Sequence, residues 1–124
     1  MDFYGLDVVA QVQALTRLAH QSVQAWPIKE YELALIKYRE NAVFRLSTSQ
    51  GQRFALRIHR YGYHSDQALR SELQWIVALA EAGMEVPRVV PCSTGQLFTR
   101  VQVEEVPESR QVDLFAWVEG EHLG

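Results

Sequence analysis

Apolar residues recur at intervals of three and four positions in two stretches of the chain, which is the spacing of one face of an α-helix. The first stretch runs from Asp7 to about Trp26, where Asp7 is a suitable N-cap and Pro27 ends the helix. The second runs from residue 65 or 66 to residue 82 and is followed at once by Gly83, a residue type that often terminates helices. The pattern predicts two amphipathic helices.

Between and after these helices lie short segments in which apolar residues are contiguous or alternate with polar ones, as in β-strands. The segments cover residues 31–38, 42–46, 54–58, 86–91, 97–103 and 112–118. Pro87 and Pro91 restrict the fourth segment to an edge or lead-in position, because proline has no N–H for a strand ladder. The order predicts an α+β fold, an antiparallel sheet of about five strands with helices on one side. An N-terminal amphipathic helical extension, residues 1–27, precedes a domain of residues 28–124.

Composition limits the classes of partner. The chain has 124 residues, with 12 Lys and Arg against 15 Asp and Glu and a formal net charge of -3. Its basic residues are scattered, so we expect no nucleic-acid partner. No segment reaches the roughly 18 to 20 apolar residues that span a bilayer, and the N-terminus does not resemble a signal peptide, so we expect no membrane partner. Cys92 is the only cysteine, which suits a reducing compartment, and we expect a cytoplasmic protein.

One strand and one helix place opposite charges where they can meet. On the third strand segment, alternation puts Ala55, Arg57 and His59 on one face, opposite the apolar side chains. On the second helix, Glu72 lies at about -60° from Leu69, within the apolar arc. A carboxylate there needs a partner, and Arg57 is the candidate. An exposed ion pair, no pair, or a structural pair of Glu72 with another arginine stays equally open.

Five short motifs follow one another along the chain in a recognisable order. They are residues 38–44, residues 55–60, residues 71–75, the dipeptide Val86-Pro87 and residues 114–120. Together they resemble the small lobe of the aminoglycoside phosphotransferase and choline kinase-like superfamily, and within it the bacterial branches that include homoserine kinase type II and the stress-response protein kinases. The match covers about residues 28–124, so the resemblance implies a protein-kinase-like N-lobe without its large lobe.

The resemblance implies a role for each matching residue on the phosphate side of an ATP site. Arg57 takes the place of the strand lysine that contacts the α- and β-phosphates, with Glu72 as its helix partner. The loop of residues 39–42, which contains Glu40 and Asn41, would cover the phosphates. Two departures are visible: position 57 is arginine rather than lysine, and the loop has no glycine. We therefore give more weight to the Arg57–Glu72 pair than to the loop.

On the adenine side, the small side chain of Ala55 would leave room for a flat ring. The resemblance implies that Phe115 lies at the back of the adenine pocket. It also implies that the backbones of Ala116 and Val118 form the hinge hydrogen bonds. All four residues are expected to bind nucleotide.

The histidines and the cysteine do not predict a metal site. His59 and His64 are five positions apart without Cys or clustered carboxylates beside them, and Cys92 has no activating neighbour in the sequence. The resemblance implies Mg²⁺ together with ATP as cofactors, with the metal ligands supplied by the large lobe.

The expected function is that of the ATP-binding small lobe of a phosphotransferase that moves the γ-phosphoryl group to a hydroxyl of a small molecule or of a protein serine or threonine. The sequence up to Gly124 contains no catalytic-loop motif. We therefore expect no transferase activity and at most weak nucleotide binding from this chain alone. An apolar surface around Leu114, Phe115 and Trp117 is expected to favour self-association. The alternative is a free-standing α+β binding or regulatory module that acts through protein contacts.

Overall fold

The computed structural model of the chain describes residues 3–62 and 65–118. A short 3₁₀ helix, Phe3–Gly5, precedes two α-helices, α1 at Val8–Val23 and α2 at Asp66–Glu81. The strands are β1 at Tyr31–Tyr38, β2 at Ala42–Thr48, β3 at Arg53–Ile58, β4 at Thr99–Val101 and β5 at Arg110–Ala116. They form one antiparallel sheet in the order β1-β2-β3-β5-β4. The predicted α+β class, the sheet of five antiparallel strands and the N-terminal helix are confirmed.

The two helices begin and end where local sequence signals place them. The Asp7 side chain accepts a hydrogen bond from the N–H of Ala10 at 2.8 Å, and the Ser65 hydroxyl accepts one from the N–H of Ala68 at 3.1 Å. Both side chains therefore satisfy a backbone donor that the first helical turn leaves without an intrahelical partner. Gly83 follows α2 with φ of 87°, a left-handed conformation that glycine adopts without steric conflict.

Within residues 65–118, one predicted strand is absent and another is shorter than the sequence suggests. Residues 86–91 form no strand and contribute a single bridge, Val89 to Phe115. The prolines on either side explain this result, since each removes one N–H from the ladder. The segment 97–103 pairs only over Thr99–Val101, because its partner β5 begins at Arg110.

The helices lie on opposite faces of the sheet, which differs from the expected placement of helices on one side. On the α1 face, side chains of α1 share one buried cluster with those of three strands: Leu15, Leu18, Phe44, Leu46, Leu56, Ile58 and Leu114. On the α2 face, the buried cluster consists of Val43, Ala55, Leu69, Leu73, Phe98 and Phe115. Period-2 alternation along the strands sends neighbouring residues to opposite faces, so each face can be covered by its own helix.

The surface expected to favour self-association is not exposed as predicted. Leu114 is 0% exposed and belongs to the α1 face, whereas Phe115 is 6% exposed and belongs to the α2 face. Only Trp117 of the predicted set is half-buried. The two buried residues therefore cannot contribute to an exposed apolar patch. Within residues 3–62 and 65–118, neither α-helix has the length and apolar character needed to cross a membrane.

Candidate nucleotide site

Arg57 lies at the centre of a row of paired residues that crosses the sheet. It is opposite Val43 of β2 on one side and Asp113 of β5 on the other. Its Nε donates to Oδ1 of Asp113 at 3.1 Å and its Nη2 donates to Oδ2 at 2.9 Å. The two parallel hydrogen bonds make a bidentate ion pair, a geometry that the planar guanidinium allows and a lysine ammonium does not. The Arg57 side chain is 21% exposed.

Glu72, the partner expected from the sequence, does approach Arg57 from α2. Its Oε2 lies 3.7 Å from Nη2 of Arg57, a distance that gives an ion pair but not a hydrogen bond. The Glu72 side chain is 43% exposed. The two charges therefore lie on the same face as predicted. Their separation is longer, and Glu72 is more exposed to solvent, than in a desolvated ion pair.

Asp113 is the buried anion of the site. Its side chain is 0% exposed, and Oδ2 also lies 2.7 Å from Nε2 of His59, which is 1% exposed. Burial by itself raises the pKa of Asp113, but the hydrogen bond from His59 and the charge and hydrogen bonds of Arg57 outweigh it, so the pKa is held below its ordinary value. For an ionised Asp113, the bonded His59 nitrogen must carry the proton, since a carboxylate only accepts.

Asp113 also affects the pKa of Arg57 more strongly than Glu72 does. Burial by itself lowers the pKa of Arg57, whereas Asp113 and then Glu72 raise it, and the net shift is upward. Asp113 contributes more than Glu72, in keeping with its shorter distance and complete burial. The guanidinium also lies over the ring of Phe115, with Cζ 5.1 Å from the ring centroid.

Sequence reasoning missed Asp113 as the main partner of Arg57. A visible indication was available, because Asp113 is the one charged residue within the otherwise apolar segment 112–118. A carboxylate inside a buried strand requires a cation or several donors. Neither the order of β5 next to β3 nor the register that sets Arg57 opposite Asp113 could be read from local patterns.

Of the four predicted adenine-side residues, Ala55 and Phe115 lie on the α2 face. Both belong to one buried cluster with Val43 and with Leu69 and Leu73 of α2. The N–H of Ala116 donates to the carbonyl of Arg88 at 2.9 Å. The amide of Ala116 is therefore already used within the fold. Val118 is half-buried and lines a cavity of about 460 Å³ formed mainly by residues 83–88.

The predicted phosphate loop borders a separate cleft. Lys37, Arg39, Glu40, Asn41 and Val43 line a cleft of about 280 Å³. The side-chain carbonyl of Asn41 accepts a hydrogen bond from the N–H of Arg60 at 3.2 Å, which ties the β1–β2 turn to the chain just after β3. Asn41 thus has a structural contact, whereas Glu40 is exposed at the turn.

The described residues offer no grouping of three or more His, Cys, Asp or Glu side chains that could hold a metal ion. The charged cluster consists of Arg57, Asp113, His59 and Glu72. Arg57 is a cation and Nε2 of His59 donates a hydrogen bond to Asp113, so neither the guanidinium nor this nitrogen can act as a metal ligand in this arrangement. The arrangement is therefore suited to holding a guanidinium in a fixed orientation rather than to ligating a cation.

Comparisons with known proteins identify the fold of the chain. No protein-family model and no curated protein matches the chain. Among solved structures, the microcompartment-associated aminopropanol kinase is similar at 30% identity and a TM-score of 0.68, with 94% of this chain and 33% of that chain covered. Amicoumacin kinase hAmiN, in complex with AMP-PNP, Ca²⁺ and Ami, is similar at 16% identity and a TM-score of 0.74, with 91% of this chain and 34% of that chain covered. The chain thus spans about one third of the length of each kinase, and it has the fold of the small lobe of aminoglycoside phosphotransferase-like kinases, as the sequence resemblance predicts.

Proposed function

We propose that the chain is the ATP-binding small lobe of a phosphotransferase that transfers the γ-phosphoryl group of ATP to a hydroxyl of a small molecule or of a protein serine or threonine. The observation that carries the proposal is Arg57, a guanidinium held by a buried carboxylate on the face that also carries Ala55 and Phe115. A cation beside a small residue and an aromatic ring suits a ligand with a flat base and a polyphosphate.

The residues of the α2 face fit such a ligand by their chemistry. The base would pack at the edge of the buried apolar cluster that contains Val43, Ala55 and Phe115, and the carbonyl of Ala116 and the backbone of Val118 would supply hinge hydrogen bonds. Arg57 would neutralise the α- and β-phosphates, and the turn that contains Glu40 and Asn41 would cover them. With Mg²⁺, ATP supplies the transferable phosphoryl group. The metal ligands and the group that accepts the substrate proton would come from a further lobe.

The two similar solved structures support this proposal by their names and by the ligands that one of them contains. Both are kinases by name, and one contains the nucleotide analogue AMP-PNP and a divalent metal ion. The acceptor of the present protein is left as a hydroxyl compound, since a shared fold does not choose a substrate. A reducing compartment that contains ATP, such as the cytoplasm, suits a chain whose only cysteine is buried Cys92.

A nuclear magnetic resonance titration of the isotope-labelled chain with MgATP tests the proposal, because it detects millimolar binding. We expect saturable shifts of the amide signals of Val43, Ala55, Arg57 and Val118, with the amides of α1 unchanged. Adenosine should shift the signals at Ala55 and Val118 but not those at the β1–β2 turn.

A control variant separates specific binding from attraction of a polyanion to any positive charge. Arg17→Gln removes one exposed charge on α1 that is paired with Glu105. It should bind MgATP as the wild type does. Absence of shifts at millimolar MgATP would contradict the proposal and favour a module that acts through protein contacts. Equal shifts on both faces would indicate charge attraction only.

A further inference from the structure

We propose that Asp113, rather than Glu72, is the residue that positions the Arg57 guanidinium for the nucleotide phosphates, an inference that rests on the proposed function. Both carboxylates approach the same Nη2 atom. Only Asp113 makes hydrogen bonds to Arg57, at 3.1 and 2.9 Å, whereas Glu72 stands at 3.7 Å. The lateral partner within the sheet thus takes the orienting role that the helix partner was expected to have.

The Asp113 carboxylate is itself immobilised. It is completely buried, and its Oδ2 is shared between Arg57 and His59 while its Oδ1 is bonded to Arg57. Both oxygens are therefore fixed, and the strand pairing of β5 with β3 fixes the backbone from which each side chain extends. Glu72 is 43% exposed and rests on a helix, so it constrains Arg57 far less.

The fork geometry also accounts for the presence of arginine at position 57. Asp113 uses the Nε proton and one Nη2 proton, two of the five N–H donors of a guanidinium. Three donors are not used by Asp113, so the group can remain anchored while it contacts a phosphate. A lysine ammonium at this position could reach both groups with its three N–H donors, but it could not make the two parallel hydrogen bonds that fix the direction of the guanidinium.

Phe115 completes the orientation from the same strand. Asp113 and Phe115 are two positions apart on β5, so they extend from one face of the sheet. The Arg57 Cζ lies 5.1 Å from the Phe115 ring centroid. The two hydrogen bonds to Asp113 fix the direction of the cation, and the Phe115 ring contacts it from the same face. β5 thus provides two neighbouring side chains, Asp113 and Phe115, that both contact the Arg57 guanidinium.

The test compares two matched carboxylate-to-amide variants, Asp113→Asn and Glu72→Gln. The first readout is independent of nucleotide: the Nε–H signal of Arg57 should be protected from solvent exchange in the wild type and in Glu72→Gln, and should lose that protection in Asp113→Asn. The second readout is the dissociation constant for MgATP against that for adenosine, measured by the same titration. Asp113→Asn should weaken MgATP binding by about tenfold with adenosine affinity unchanged, and Glu72→Gln should weaken it by less than about threefold.

The outcomes separate this inference from the proposed function. If the wild type binds no MgATP, the proposed function fails and this inference fails with it, even if exchange at Arg57 follows Asp113. If MgATP binds but Glu72→Gln causes the larger ATP-specific loss, the inference fails and the proposed function stands. Equal losses for MgATP and adenosine in Asp113→Asn would indicate a purely structural role and would also overturn it.

Arg57→Lys keeps the test decisive if Asp113→Asn does not fold. This variant retains one positive charge beside Asp113, so the buried carboxylate stays neutralised. We expect it to lose MgATP affinity by about tenfold while adenosine binding is unchanged, because an ammonium cannot form the two parallel hydrogen bonds to Asp113 that fix the direction of the cation. Unchanged MgATP affinity in Arg57→Lys would show that the bidentate anchor is not needed.

Discussion

The two faces of the sheet are built from the same strands, yet they differ in polarity. The α1 face is a closed apolar core that includes Leu18, Phe44 and Leu56. The α2 face carries a smaller apolar cluster beside the partly buried charge of Arg57 and the buried charge of Asp113. One face therefore stabilises the fold by excluding water, whereas the other keeps charged groups in fixed positions, which stability alone does not require.

The difference shows how one strand can serve both purposes. In β3, Leu56 and Ile58 enter the α1 core, while Ala55 and Arg57 lie on the α2 face. Strand alternation separates the two sets without any break in the chain. Substitutions on the α1 face should therefore change stability, and substitutions among the charges of the α2 face should also change the response to pH and to nucleotide.

The largest loss is expected from an α1-face cavity. Leu18→Ala removes a side chain that is 0% exposed. The free energy of unfolding should fall by about 2 to 5 kcal/mol, as measured by urea denaturation monitored by circular dichroism. Trp75→Ala, at an exposed position of α2, is the control and should change stability by no more than about 0.5 kcal/mol. A similar loss in both variants would contradict the placement of Leu18 in a buried core and of Trp75 at the surface.

Asp113→Asn should be the most damaging change among the charges of the α2 face. Arg57 would lose its buried counter-ion, and stability at pH 7 should fall by about 3 kcal/mol, the low end of the range for breaking a buried pair, because Glu72 remains nearby. Urea denaturation at a series of pH values measures the effect.

The same variant should alter the dependence of stability on pH. The folded-state pKa of Asp113 lies below the unfolded value of about 3.9. Its stabilisation is therefore complete above the unfolded pKa and is lost as the pH falls through the folded pKa. The gap between wild type and Asp113→Asn should close in that acidic window. A gap that stays constant from pH 7 to pH 3 would contradict an ionised Asp113 in the folded chain.

Trp26→Phe should have a moderate effect at the edge of the α1 face. The indole Nε1 of Trp26 donates to the carbonyl of Val90 at 2.9 Å, which ties the end of the α1 region to the segment that leads into the sheet. Phenylalanine preserves most of the apolar contact but leaves that carbonyl without its donor, so we expect a loss of about 1 kcal/mol. The shift in the urea midpoint at constant slope is the measurement. An unchanged urea midpoint would mean that a water molecule donates to the Val90 carbonyl in place of the indole.

Glu72→Gln should have the smallest effect on stability, no more than about 1 kcal/mol, because the side chain is half-exposed and its contact with Arg57 is long. The comparison with Asp113→Asn by the same denaturation series sharpens the ranking of the two carboxylates. A loss as large as that of Asp113→Asn would show that Glu72 is the main counter-ion of Arg57.

Local patterns predicted the parts of the fold that depend on neighbouring residues. The caps at Asp7 and Ser65, the glycine after α2 and the faces of β3 all follow from short-range spacing, and the structure has each of them. The segments 86–91 and 97–103 were predicted too long, because strand length depends on a partner strand that is distant in the sequence.

For the candidate site too, local patterns predicted some residues and not others. The sequence placed Ala55 and Arg57 on one face and brought Glu72 to the same side, since strand and helix periodicity determine those directions. It did not predict that Asp113 and His59 complete the cluster. Their contact depends on β5 being inserted between β3 and β4, a topological choice that no local pattern contains.

By itself, then, the sequence determined two capped helices, the alternation of β3 and the resemblance to a kinase small lobe. Only the tertiary structure decided which carboxylate holds Arg57 and that the helices cover opposite faces. The physical reason is that helix and strand periodicities act over a few residues, whereas a hydrogen bond between β3 and β5 joins positions 56 residues apart through the register of the assembled sheet.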